Sequence, residues 1–324
     1  MLAPRAGAAG FPCDLAQLPS RPPIFLIGES HCSESSKQVG QQASAMAAQG
    51  AVFLGQEGVY PGWERLALKE KRLTEGPASG YRGIEEPFAH GLAASYLLSF
   101  LGNICGEDPV AKGLQLMYRN SFLRQAWDLA KEKAPDLSDP GLRKMAALFD
   151  EAGRVYFDAD RVPNLRGRER DDFMILARRI NASYVELANR FPEAAGADRP
   201  LIAVPEKLRD WTPEDQKRAD AADDALYSVL IDGRSVRMAG NLEKVYCEAA
   251  SLGKRTLAIV GSKHAAGMRK LLLEDSGGRV QIRVFRSDLS PELVSRELDE
   301  ILRPELAGRP DRALPLELRE PRFN

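Results

Sequence analysis

Apolar positions along the chain alternate between short unbroken runs and stripes of helical period. Ile24-Phe25-Leu26-Ile27 is a continuous apolar run stopped by Gly28, the pattern of a strand buried on both faces of a parallel sheet. Ser33 can cap the helix that follows, where Val39, Ala43, Met46 and Ala47 form one stripe until Gly50 ends it. Ala51-Val52-Phe53-Leu54 is a second buried strand that closes near Glu57. A strand, helix and strand in so short a span form a crossover unit, which requires parallel strands. Tyr81 to Glu85 predicts a third strand, followed by Pro87 and a helix over Phe88 to Gly102.

Between 103 and 230 the pattern is helical over Leu114 to Lys133, Gly141 to Ala152 and Arg166 to Phe191, broken at Leu201 to Val204. A block of that length far exceeds an ordinary connection and predicts a helical insertion or cap. The sheet then resumes. Met238, Leu242, Val245, Ala249 and Leu252 lie at helical spacing, Thr256 to Val260 is an apolar strand ending in Gly261, and Val280 to Phe285 is another. Ser290-Pro291-Glu292 opens a last helix that Pro304 ends. The expected fold is α/β, a mainly parallel central sheet flanked by helices, with a large helical insertion or cap. Its parts are a flexible segment 1–23, core halves 24–102 and 231–304 around the insertion 103–230, and a tail 305–324.

Composition narrows the function classes. Forty-five Lys and Arg against 46 Asp and Glu give a net charge of −1, so no polyanion-binding surface is implied and nucleic acid is not an expected partner. Trp63, Trp127 and Trp211 have no spacing that suggests a base-stacking platform. No apolar run approaches the roughly 20 residues of a membrane span. Cys13, Cys32, Cys105 and Cys247 lie far apart without C-x-x-C spacing, which argues against a disulfide scaffold and for a reducing compartment such as the bacterial cytoplasm.

The candidate chemistry rests on two of the three histidines. His31 and His264 each stand three residues after a glycine that closes an apolar strand, in Gly28-Glu29-Ser30-His31 and Gly261-Ser262-Lys263-His264. A glycine there lets the chain turn out of the strand. Ligands bind open parallel sheets at the carboxyl ends of the strands, so both histidines aim at that edge, as do Glu29 and Glu57. Two imidazoles and one or two carboxylates suit a divalent metal, with zinc, manganese and iron all compatible. His90, after Glu85-Glu86-Pro87, can complete such a site or stand as a helix-start histidine. Tyr60 is either a proton donor or a packing residue. Cys32 with His264 as its base is a further arrangement.

Gly28-Glu29-Ser30-His31 resembles the G-E-x-H motif of ChaN-like proteins, and the paired G-x-x-H motifs resemble the TraB/Tiki peptidases; erythromycin esterases have a related element. The resemblance covers about residues 24–60 and 230–275. It implies an acidic residue after the second strand, here Glu57, and an arginine ahead of a Met-Ala pair, here Arg234 in Arg234-Ser235-Val236-Arg237-Met238-Ala239. Two departures are Ser235, where an acidic residue often follows the arginine, and Cys32 after the first histidine. The implied activity is hydrolysis of an ester or amide in a small-molecule or peptide substrate. In that scheme His31, His264 and Glu57 hold a metal or water, Glu29 is the general base, and Arg234 stabilises an oxyanion or clamps a carboxylate. A haem- or metal-binding relative without turnover, with Tyr60 on the haem, is the alternative; the enzymatic part of an exported effector is a third reading.

Overall fold

The structure is a computed structural model that describes residues 11–29, 34–100, 165–195 and 199–286, with isolated positions 140, 143, 144 and 147. Its centre is a five-stranded, wholly parallel sheet, β1 (Ile24–Glu29), β2 (Phe53–Gln56), β3 (Tyr81–Gly83), β4 (Thr256–Gly261) and β5 (Ile282–Arg286), in the order β3-β2-β4-β1-β5. The α/β expectation holds. Helices α1 (Glu34–Ala48), α2 (Glu64–Glu70) and α3 (Pro87–Phe100) follow the first three strands. Then come α4 (Gly167–Arg190), the single turn α5 (Pro192–Ala195), α6 (Pro213–Tyr227), a π-helical turn Ser228–Gly233, α7 (Arg234–Ser251) and α8 (Ser262–Asp275).

Strand residues alternate between two apolar layers, as a period of two requires. Ile24, Leu26, Phe53, Ala258 and Val260 pack on Met238, Leu242 and Val245 of α7 and on Ala265 and Met268 of α8. Phe25, Ile27, Leu54, Leu257 and Ile259 pack on Val39, Ala43 and Ala47 of α1. A separate helical core joins α3 to α4, with Leu92, Tyr96, Phe173, Ile180 and Tyr184 buried together. Leu201 to Val204, which breaks the helical pattern, lies outside both helix and sheet. Asn189 and Asn181 hold it by hydrogen bonds to the backbone of Leu201 and Val204. The helices expected over 114–133 and from Ser290 lie outside the described residues, as does nearly all of 141–152.

Two expectations require correction. Residues 11–23, expected as part of a flexible lead-in, pack against α7: Leu15 is buried in the sheet–α7 layer, and Phe11 meets the edge of Tyr246 at 5.4 Å. Apolar side chains spaced among Gly, Ala and Pro find a partner surface that composition alone does not disclose. Cys13 forms a disulfide with Cys247 of α7, 234 positions away. Local cysteine spacing carries no information about a pair that only the tertiary fold brings together. Among the described residues, no helix is long and apolar enough to cross a membrane.

Candidate functional site

The first three strands each run out into a glutamate: Glu29 at the end of β1, Glu57 just beyond β2 and Glu85 just beyond β3. Backbone pairing carries Glu57 forward, since its N–H donates to Ile259 O at 3.0 Å. Its alternation places the side chain on the α7 face, where α7 supplies an arginine from its first position. The π turn before α7 adds a residue to the helical repeat, a device found often at functional sites.

Arg234, 6% exposed, lies among Glu57, Glu85 and His264, all nearly closed to solvent. Its Nε and Nη2 donate to the two oxygens of Glu85 at 3.3 and 2.6 Å, and Nη2 also donates to Glu57 Oε1 at 2.6 Å. Nη1 faces Leu230 O at 3.4 Å and His264 Nε2 at 3.3 Å. All five guanidinium donors are therefore engaged. The second oxygen of Glu57 accepts from the N–H of Gly261, at the end of β4.

His264 is the third residue of α8. Ser235 Oγ donates to Ile231 O at 2.6 Å, which commits its one proton, so at 2.9 Å from His264 Nδ1 it accepts from a protonated Nδ1. The lone pair then falls on Nε2, toward Arg234 and 3.5 Å from Glu57 Oε1. Burial holds the imidazole below the usual histidine range, against the pull of Glu57 and with the help of Arg234; the positive end of α8 acts in the same direction. Burial would push the Glu85 carboxyl up, yet Arg234 and His90 outweigh it and hold it below the usual carboxylate range. For Arg234 too, burial opposes the charge, and Glu85 and Glu57 more than restore it.

Beside this cluster, Tyr60 Oη and His90 Nδ1 are 2.8 Å apart. Tyr60 is fully buried and packs edge-on against Trp63. Burial, then Glu85, raises its phenol well above the usual value. A haem tyrosinate needs the opposite shift, and the phenol already has a partner, so the described residues do not fit haem at Tyr60. Burial brings His90 down to about 4.

The structure thus brings together Glu57, Arg234 and His264. Glu29 sits at the same sheet edge, its backbone opposite Gly261, but alternation turns it to the α1 face, where it lines a groove with Gln56 and Lys71. His31 and Cys32 lie outside the described residues. The glycines differ from expectation as well. Gly28 is inside β1, and a Cβ there would meet Ser262 Cα at 3.2 Å, so it admits the start of α8 rather than making a turn.

Of the four side chains expected at a metal, His31 lies outside the described residues. Among the described residues, no three His, Cys, Asp or Glu side chains form a group suited to a metal ion. Glu57 and His264 are instead directed onto the fixed cation of Arg234, and His90 onto Tyr60. Sequence reasoning missed Glu85, although it follows the third strand as Glu57 follows the second. It also treated Ser235 only as a departure, when its hydroxyl fixes the tautomer of His264. No family model, curated protein or solved structure matches this chain.

Proposed function

We propose that the protein is a hydrolase of the erythromycin esterase/ChaN/TraB type, acting on an ester or amide of a small-molecule or peptide substrate through a Glu/His pair. The observation that carries this reading is the place of His264 at the carboxyl edge of a parallel sheet, with Nδ1 2.9 Å from Ser235 Oγ and Nε2 3.5 Å from Glu57 Oε1. In the proposed step a water replaces the 3.3 Å contact of Arg234 Nη1 at His264 Nε2, and Nε2 takes a proton from it as the water oxygen bonds to the acyl carbon. The tetrahedral intermediate then collapses, the C–O or C–N bond breaks, and the proton passes from His264 to the leaving group.

Charge balance favours that cycle. Two carboxylates and one guanidinium leave the cluster one negative charge in excess, which an imidazolium formed during turnover would neutralise. Arg234, with every donor engaged, acts as a positioning residue that holds Glu57 and His264, so the oxyanion role is not assigned to it. Glu29 receives no part in the water step, because it lies on the other face.

Steady-state turnover of a panel of nitrophenyl esters and amino-acyl amides tests the proposal. His264→Gln is expected to lower kcat by about 100-fold or more, as for a lost general base, with the circular dichroism spectrum retained. Wild-type rates in that variant, or no turnover of any ester or amide by the wild type, would overturn the reading.

A further inference from the structure

The face of the sheet opposite the Arg234 cluster has a polar groove of about 290 Å³, near the lower end of small-ligand sites. Its sheet side is made by Glu29 and Gln56, its far side by Ser36, Lys37 and Gly40 of α1 and by Lys71 at the end of α2. The walls are tied together by Gln41, whose side-chain amide donates to Lys71 O at 3.0 Å. At Gly40 a Cβ would meet nothing within 4 Å, so the α1 wall stands back from the sheet.

Two groups in the groove lack what their chemistry calls for. Gln56 is 6% exposed; its Nε2 donates to Glu57 O at 3.3 Å, which leaves Oε1 as the other end, and Oε1 is buried with no hydrogen-bond partner. An orphaned buried acceptor costs about 1–3 kcal/mol. Lys71, half-buried, has no ion-pair partner among the described residues, whereas Lys37 is paired with Glu34 at 3.3 Å. Burial lowers the Lys71 ammonium from its usual value, and the Glu29 carboxylate opposes the shift. The groove therefore offers a carboxylate and an amide acceptor at the sheet edge, and an ammonium on the opposite wall.

We infer that this groove binds a small zwitterion, a free α-amino acid or short peptide, with its ammonium at Glu29 and Gln56 and its carboxylate at Lys71. The inference stands apart from the hydrolase reading, since none of its groups enters the water step.

Calorimetric titration of the full chain with L-alanine and with alanyl-alanine tests it and separates the two sources. Alaninamide, without the carboxylate, and N-acetylalanine, without the ammonium, are the controls. Saturable binding of a zwitterion is expected, weakened about tenfold or more by either block, the usual worth of a charge-assisted contact. Lys71→Met should remove the discrimination against alaninamide, and Gln56→Leu should weaken alanine and alaninamide alike. No binding of either zwitterion at about 10 mM, beyond which affinity is negligible, would overturn the inference. So would binding that Lys71→Met leaves unchanged; Lys71 is half-exposed, so that variant keeps the fold even if the buried Gln56→Leu does not.

Discussion

Arg234 sets the energetics of its neighbours. Two carboxylates buried to this degree are tolerable only because one guanidinium meets both, with a forked contact to Glu85 and a single contact to Glu57. Lysine cannot reproduce that geometry, because an ammonium is a point donor. Arg234→Met is expected to destabilise the fold by about 3–5 kcal/mol, the cost of leaving buried charge unpaired, read from urea unfolding. A companion Arg234→Met/Glu85→Gln variant should recover part of that loss by removing one orphaned charge; equal loss in both would mean that packing, not charge, decides. The residue scale is where sequence was most legible at Glu57, Arg234 and His264, whose motif order survives into one hydrogen-bonded cluster. It was least legible at Glu85 and Ser235, since their importance lies in a partner far along the chain, 149 positions in the case of Glu85 and Arg234.

At the scale of elements, alternation decides which carboxylates meet. Glu29 and Glu57 both close strands next to β4, yet one faces α1 and the other α7, and only the second reaches Arg234. Sequence shows the period of two but not strand order, so it did not show which face each glutamate would take. The loop after β2 is held against β3 by a close approach at Gly83, where a Cβ would lie 2.5 Å from the carbonyl oxygens of Val59 and Tyr60. Those oxygens belong to backbone that cannot move without disturbing Glu85, whose N–H donates to Val59 O at 3.0 Å. Gly83→Ala is therefore expected to cost about 1–3 kcal/mol by overpacking and to lower turnover. Unchanged unfolding midpoint and rate would mean that the loop position does not control the cluster.

For the molecule as a whole, the strand–helix–strand pattern and the long helical middle were readable because hydrophobic period is a local property. The N-terminal packing and the Cys13–Cys247 bridge were not, because they join the first described residues to a helix 234 positions further along the chain. Protonation ties these scales together. His90 and His264 both have folded pKa values below the unfolded 6.5, so in acid the unfolded chain binds more protons than the folded one and stability falls as pH drops below about 6.5. For His90 the loss is complete near its folded value of about 4. Glu85, also held low, adds stability above the unfolded carboxylate range that disappears as pH falls through its folded value. The central claim is that His264 is a neutral imidazole, protonated on Nδ1 against Ser235, with Nε2 presented to Arg234 and Glu57. Long-range proton–nitrogen NMR of the ring, followed through a pH titration, tests it directly. One tautomer with Nδ1 protonated, whose titration midpoint lies below 6.5, is the predicted result; protonation with an ordinary midpoint near 6.5, or a hydrogen on Nε2, would contradict it.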